Sequence, residues 1–207
     1  MNRFETVFII DDDAGVRDAL GLLLEQEEIT VRAFDSAAAF LAAVDQTEPR
    51  SCAIIDIRMP DMDGMELQAE LTRLGMLLPI IFLTGHGDIP MSVRAIKAGA
   101  IDFLTKPVTR HDLLTSVHGA LVESERLHAQ HKANDEAQAC LRFLTEREHE
   151  VMLLVIEGLT NKEIGRHLGI SYRTVEIHRS HVMQKTGAGS ILDLARIAAE
   201  ANDAPTS

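Results

Sequence analysis

Five short apolar runs, each followed by an amphipathic stretch, dominate residues 1–121. The runs are rich in β-branched residues, as strands are, whereas the stretches between them repeat apolar residues at helical spacing. The predicted strands are TVFII (6–10), ITVRAF (29–34), CAIIDI (52–57), PIIFLT (79–84) and IDFLT (101–105). This alternation predicts an α/β domain, in which five βα units form a central parallel sheet of the flavodoxin-like, doubly wound kind.

The predicted helices between these strands have apolar faces and recognisable ends. The first helix has one apolar face, formed by Val16, Leu20, Leu23 and Leu24. Further helices are expected after Ser36 and after Gly64, and another near 90–98 that ends at Gly99. Ser and Gly are typical cap residues at these positions.

Beyond residue 121 the pattern changes twice. Residues 122–140 are polar and rich in helix formers but have no apolar stripe, so we expect a solvated helical linker there. From Thr145 the chain is helical throughout, and Thr145 and Thr160 each precede a glutamate by three residues, as in capping boxes. The predicted domains are therefore 1–121, a linker over 122–140 and an all-α domain over 141–207. The four predicted short helices span about 146–157, 161–168, 172–186 and 190–201.

Charge separates the two halves more sharply than length does. Residues 1–121 hold 10 Lys and Arg against 19 Asp and Glu, whereas residues 159–187 have a net charge of +3. Any contact with nucleic acid is therefore expected in the basic segment. Two cysteines are too few for a disulfide framework, and the chain shows neither a leader pattern nor a membrane-spanning run, so we expect a cytoplasmic protein.

Polar residues follow four of the predicted strands at the point where each strand ends. In chain order they are Asp11-Asp12-Asp13, Asp56, Thr84 and Lys106-Pro107. Because the carboxyl ends of parallel strands lie at one edge of a sheet, these side chains are expected to meet there. Asp11, Asp12 and Asp56 suit a divalent cation, and the lysine and threonine suit the remaining oxygens of a phosphoryl group. Singly each is an ordinary strand-ending residue or helix cap, but together they indicate an aspartate that accepts phosphate. The bond before Pro107 is a candidate for the cis form.

The segment 161–185 reads as helix, glycine-containing turn and basic second helix, which is typical of a helix-turn-helix. With Val175 and Val182 taken as core positions, the opposite face of the second helix presents Arg173, Glu176, Ile177, Ser180 and Gln184. Glu176 and Ile177 are candidate base readers, and basic residues are better suited to phosphates. The candidate phosphate contacts are Lys162, Arg173, Arg179 and Lys185. The alternative is a helical packing module whose charges form a solvated face.

The motifs of the first half identify a known family. IIDD, IIDIRMPDMDG, LTGHG and GAIDFLTKP resemble the blocks of response-regulator receiver domains, and GHGDIPMSVRAIKAGAIDFLTKP is similar to the FixJ branch. The resemblance implies that Asp56 takes phosphate from the phosphohistidine of a sensor histidine kinase. It also implies that Asp11, Asp12, Asp56 and the Arg58 carbonyl bind Mg²⁺ (or Mn²⁺).

The same resemblance implies a switch and tuning positions. Thr84 and Phe103 would change conformation on phosphorylation, and Arg58 and His86, which vary in the family, would tune phosphate lifetime or be plain surface groups. The face containing Met91, Val93, Ile96 and residues 101–121 often forms the dimer interface in this family. The sequence as a whole is similar to styrene-catabolism regulators of this branch, although none of the residues above encodes that pathway.

The second half resembles the LuxR/NarL-type DNA-binding domain across about 142–201, through LTEREHEV, GLTNKEI and GIS-x-RTVE-x-HR. The implied function is a two-component response regulator, not an enzyme, that forms a homodimer when phosphorylated and binds promoter DNA to activate RNA polymerase. The expected DNA-binding residues are Lys162, Arg173, Thr174, Glu176, Ile177, Arg179, Ser180 and Lys185. His178 is expected to pack or to touch a phosphate.

Three other functions fit the sequence less well. A phosphatase or phosphotransferase with an aspartyl-phosphate intermediate often carries a second acid two residues after the nucleophile, and Arg58 occupies that position here. A phosphorylation-dependent module that binds a protein would lack the steep salt dependence of DNA binding. Nucleotide binding is disfavoured because no glycine-rich loop follows the first strand.

Overall fold

The computed structural model describes residues 5–44, 50–85 and 94–202. Its five strands are all parallel to their neighbours, in the order β2-β1-β3-β4-β5. They are β1 (Thr6–Ile10), β2 (Thr30–Phe34), β3 (Ser51–Asp56), β4 (Ile80–Thr84) and β5 (Asp102–Thr105). The predicted flavodoxin-like sheet is confirmed, with strand ends within one residue of their predicted positions.

The sheet is apolar on both faces because successive side chains of each strand point to opposite sides. In β3, Cys52 and Ile54 belong to one core cluster, and Ala53 and Ile55 belong to another. Helices cover both faces, as a buried parallel sheet requires. They are α1 (Ala14–Glu25), α2 (Ala37–Ala43), α3 (Gly64–Arg73) and the first part of α4 (Arg110–Arg142).

The helix starts agree with their predicted caps in one case and differ in another. Ser36 caps α2 and accepts a hydrogen bond from the Ala39 amide, as predicted. Gly64 is not a cap. It is the first residue of α3, and Asp63 caps this helix through a capping box with Glu66. Of the helix predicted near 90–98, residues 94–97 are helical, and residues 90–93 lie outside the described part of the chain.

The helical half follows its predicted pattern closely. It comprises α5 (Glu146–Ile156), α6 (Asn161–Leu168), α7 (Tyr172–Thr186) and α8 (Ile191–Asn202). Thr145 and Thr160 both form capping boxes. Gly158 and Gly169 both adopt positive φ, at 88° and 66°, as expected of glycines that end helices. Val175 and Val182 lie in the core of this half.

The segment predicted as a linker is helical, but it is not uniformly solvated. Ser124, Asn134 and Ala137 are buried, and the Ser124 hydroxyl accepts a hydrogen bond from the Ser51 amide. The absence of an apolar stripe predicted that this helix would be exposed to solvent along its whole length. The structure instead buries three small side chains, which allow neighbouring elements to approach the helix closely without large hydrophobic groups. Two compact units meet in sequence between His128 and Ala129. Within the described residues, no helix combines the length and the hydropathy needed to cross a membrane.

Candidate functional site

Lys106 joins two buried carboxylates at the carboxyl edge of the sheet. Its Nζ lies 2.5 Å from Asp11 Oδ2 and 2.7 Å from Asp56 Oδ1. Asp11 follows β1, Asp56 ends β3 and Lys106 follows β5, so the sheet order brings residues 95 positions apart into one cluster. The predicted convergence of these three side chains is present in the structure.

Backbone amides hold the two carboxylates in place. Asp11 Oδ1 accepts a hydrogen bond from the Asp13 amide at 2.9 Å, and Asp56 Oδ2 accepts one from the Arg58 amide at 2.8 Å. Asp13 is in turn the N-cap of α1, where it accepts from the Gly15 amide. The loops after β1 and β3 therefore fix the side chains that begin each loop.

The pKa values of two members of this cluster, Asp56 and Lys106, are shifted. Burial raises the pKa of the Asp56 carboxyl, and the Lys106 ammonium only partly opposes that effect. Burial lowers the pKa of Lys106, but its hydrogen bonds to Asp11 and Asp56 outweigh burial and leave that pKa raised. The charged form of Asp56 is therefore destabilised by desolvation, and a cation bound directly to its oxygens would offset that cost.

The other predicted members of this site have different environments. Thr84 is buried at the end of β4 and shares the carboxyl edge of the sheet, where its carbonyl accepts a hydrogen bond from the Lys106 amide. Phe103 is half-buried against the core on the α3 side. Asp12 and Arg58 are exposed. The Lys106-Pro107 bond is cis. His86, Met91 and Val93 lie outside the described residues.

The predicted metal ligands include Asp11 and Asp56. Among residues 5–44, 50–85 and 94–202, no group of three His, Cys, Asp or Glu side chains is arranged to hold a metal ion. Asp11 and Asp56 nevertheless present oxygens to one point, and a cationic nitrogen lies between them. Carboxylate oxygens are the ligands that Mg²⁺ prefers. The donor set of Asp11 and Asp56 therefore fits a divalent cation.

Gly64 is a site residue whose role the sequence did not indicate. A Cβ on Gly64 would lie 2.5 Å from the Asp56 carbonyl oxygen and 3.1 Å from Ile57 Cα. The Gly64 amide also donates to the Ile57 carbonyl at 3.0 Å. The start of α3 therefore packs directly against the backbone that carries Asp56, which only glycine permits.

The second helix of the predicted helix-turn-helix, α7, presents the expected surface. Its predicted outward positions are all exposed, namely Arg173, Glu176, Ile177, Ser180 and Gln184. The turn before it is tight, since a Cβ on Gly165 would lie 2.8 Å from the Ile170 carbonyl oxygen. Thr174 is half-buried and its hydroxyl lies 2.8 Å from that of Ser171, the N-cap of α7. A polar, exposed helix face next to a tight turn suits entry into the major groove.

Two of the predicted phosphate contacts have partners inside the domain. Lys185 Nζ lies 2.6 Å from Oε2 of Glu148, which is buried, and Arg179 donates to Asn161 Oδ1 at 2.6 Å. The hydrogen bonds from Lys185 and from the Thr145 amide lower the pKa of Glu148 to about 2. In the sequence, Glu148 is recognisable only as part of a capping box. Lys162, in contrast, is exposed at the start of α6.

Known families match both halves of the chain. Residues 7–118 match the response regulator receiver domain, and residues 142–198 match the luxR family of bacterial regulatory proteins. The response regulator protein TmoT of Ectopseudomonas mendocina is 43% identical over 98% of this chain and 92% of its own. The transcriptional regulatory protein FixJ of Azorhizobium caulinodans is 42% identical over 96% of this chain and 94% of its own. The solved structure of the response regulator StyR has 41% identity and a TM-score of 0.79, over 95% of this chain and 99% of that chain.

Proposed function

Because the chain belongs to the response regulators that combine a receiver domain with a LuxR-type DNA-binding domain, we propose that phosphorylation of Asp56 by a sensor histidine kinase controls promoter binding. The observation that carries this proposal is the Lys106 ammonium between Asp11 and Asp56 at the carboxyl edge of the sheet. We assign the receiver to 1–121, the linker to 122–140 and the DNA-binding domain to 141–207.

At the acceptor site, an Asp56 carboxylate oxygen attacks the phosphorus of the kinase phosphohistidine, and the histidine nitrogen leaves. We assign Lys106 to pair with one oxygen of the transferred phosphoryl group, and the Thr84 hydroxyl to donate to another. Asp11, Asp12, Asp56 and the Arg58 carbonyl would hold Mg²⁺ or Mn²⁺, which supplies charge neutralisation for the dianionic group. Thr84 and Phe103 are assigned the conformational response.

The test of this half is covalent labelling with a small-molecule phosphodonor and Mg²⁺, followed by intact-protein mass measurement. Asp56→Asn is expected to remove the labelling completely, because no carboxylate remains at the end of β3. The matched control is Asp13→Asn, which removes a carboxylate from the loop after β1 but keeps a residue type that caps α1. Labelling of Asp56→Asn at the wild-type level would reject the assignment.

In the DNA-binding half, the exposed face of α7 is assigned to the major groove. Glu176 and Ile177 are the candidate base readers, with Ser180 and Thr174 nearby, and Lys162, Arg173, Arg179 and Lys185 are the candidate phosphate contacts. A homodimer formed on phosphorylation would place two such helices on a palindromic operator and recruit RNA polymerase to activate transcription. Contact with promoter DNA would place the protein in the cytoplasm.

The salt dependence of DNA binding tests individual phosphate contacts. Each lysine that neutralises a phosphate contributes to the slope of log affinity against log salt concentration, so Lys162→Gln is expected to reduce that slope by about 1. Lys185→Gln is the informative partner variant, because Lys185 is already paired with Glu148. If Lys185 contacts DNA, the slope of Lys185→Gln will also be smaller than that of the wild type. If Lys185 stays paired with Glu148 in the complex, the slope of Lys185→Gln will equal that of the wild type.

A further inference from the structure

Within the described residues, Tyr172 makes no packing or hydrogen-bonding contact that accounts for its position. It is the first residue of α7, its exposed fraction is 49%, and it lies outside the apolar cluster that forms the core of the helical half. Its hydroxyl makes no hydrogen bond to any residue in the described part of the chain. A tyrosine has both an apolar ring and a hydroxyl donor, so an exposed one is well suited to a partner that offers both kinds of surface.

The fold fixes where Tyr172 stands. Gly165 of α6 packs so closely on the turn that a Cβ there would lie 2.8 Å from the Ile170 carbonyl oxygen and 3.6 Å from the Tyr172 amide nitrogen. Ser171 caps the helix by accepting from the Thr174 amide at 3.1 Å. The backbone of Tyr172 is thus held by the turn on one side and by the helix on the other.

Its angular position places Tyr172 beside the predicted reading face. At 3.6 residues per turn, Tyr172 lies about 40° from Glu176 around the helix axis, and about 20° from Arg179. Arg179 reaches Asn161 at the start of α6, which puts that helix along the same flank of α7. Tyr172, Arg179 and the start of α6 therefore line one border of the reading face.

When a helix lies in the major groove, the middle of its groove-facing surface contacts the bases, and the two borders of that surface lie next to the sugar-phosphate backbone. We propose that the Tyr172 hydroxyl donates a hydrogen bond to a phosphate oxygen of bound DNA, with its ring against the adjoining sugar. Tyr172 is thus a further DNA-binding residue, one that contributes affinity without reading sequence. This inference rests on the proposed DNA-binding function.

The composition of the chain provides a direct measurement, since Tyr172 is the only tyrosine and there is no tryptophan. The full chain, treated with a phosphodonor, is titrated with mixed-sequence double-stranded DNA at low salt while its tyrosine fluorescence is measured. A parallel titration of free N-acetyltyrosinamide corrects for absorption of light by the bases. Binding is measured separately by anisotropy of labelled DNA. Saturable quenching that follows the anisotropy is expected.

Tyr172→Phe keeps the ring and loses only the hydroxyl. Its affinity is expected to fall about tenfold, as for loss of a hydrogen bond to a charged group, with the salt slope unchanged because tyrosine is neutral. An unchanged unfolding midpoint would show that the variant is folded. Wild-type affinity in this variant, or DNA binding without tyrosine quenching, would overturn the role of Tyr172. Failure of the wild type to bind DNA would instead overturn the proposed function, and this inference with it.

Discussion

Each domain buries a carboxylate against a lysine from a distant part of the chain, yet the pKa values of the two carboxylates are shifted in opposite directions. Glu148 accepts hydrogen bonds from the Thr145 amide, the Thr145 hydroxyl and Lys185, and its pKa falls to about 2. Asp56 has the Arg58 amide and a lysine that it shares with Asp11, and its pKa is raised.

The difference follows from the balance between burial and hydrogen bonding at each carboxylate. Burial is the largest cause of the raised pKa of Asp56, whereas the hydrogen bonds from Lys185 and the Thr145 amide outweigh burial at Glu148. A carboxylate with enough donors stabilises the fold, whereas one with too few is kept ionised at a cost in stability. An acceptor of phosphate needs that second condition, because its oxygen must remain available to a new partner. Glu148 therefore has the environment of a structural carboxylate, and Asp56 has the environment expected of the proposed phosphate acceptor.

The first prediction tests whether the proposed acceptor site is intolerant of added volume. Gly64→Ala would force a methyl group against the Asp56 carbonyl, so we expect a loss of about 2–3 kcal/mol in the free energy of unfolding, as in overpacked cores. Chemical denaturation followed by far-ultraviolet circular dichroism measures this. Gly119→Ala in α4 is the control, because a Cβ there meets nothing within 4 Å. The control should gain up to about 1 kcal/mol, and equal losses in both variants would contradict the packing argument.

The second prediction concerns the structural carboxylate. Glu148→Gln keeps a residue that suits a capping box but loses the ion pair, and should cost about 2 kcal/mol at neutral pH, a value reduced for solvent screening at the partly exposed Lys185. The pKa of Glu148 is lower in the folded state, so its contribution is present above its ordinary value of 4.5 and is lost as pH falls from there towards about 2.

Unfolding measured by the fluorescence of Tyr172 reports this effect in the helical half. Wild type and Glu148→Gln should therefore converge in stability at acid pH. Glu163→Gln is the matched control, since Glu163 forms the equivalent capping box in α6 but is exposed. A cost for Glu148→Gln that did not change between neutral and acid pH would contradict the ionic origin.

The smallest effect is expected at Asp56, the proposed phosphate acceptor, and has the opposite sign. Because burial raises the pKa of Asp56, its charge lowers stability above its ordinary pKa. Asp56→Asn should therefore leave the free energy of unfolding unchanged or raise it by less than the loss expected for Glu148→Gln. Thermal unfolding at neutral pH, compared with Asp13→Asn, measures the change. A loss as large as that of Glu148→Gln would remove the distinction between the two carboxylates.

Local patterns predicted much of this molecule. Buried parallel strands form continuous apolar runs, so the strand ends that hold Asp11, Asp56 and Lys106 could be located from sequence. Capping boxes at Thr145 and Thr160 and the spacing of two valines in α7 did the same for the helical half. In each case the pattern lies within one element or at its ends.

Contacts between distant elements were not predictable in this way. Lys185 and Glu148 are 37 residues apart, and nothing near Lys185 distinguishes a structural partner from a phosphate ligand. The close approach of Gly64 to Asp56 depends on how α3 lies on the sheet. The burial of Ser124 depends on a hydrogen bond from Ser51, 73 residues away. Such pairs depend on tertiary structure, which the local sequence does not specify.

Alternate side chains of β3 belong to two different core clusters, which limits where insertions and deletions can be tolerated in this chain. Removing or adding one residue within β3 would exchange the two faces, moving Ala53 and Ile55 to the side now occupied by Cys52 and Ile54, and would turn Asp56 away from Lys106. Insertions and deletions that preserve the proposed acceptor site are therefore expected between the elements, whereas those within β3 should be removed by selection even when every core-facing side chain of the strand remains apolar.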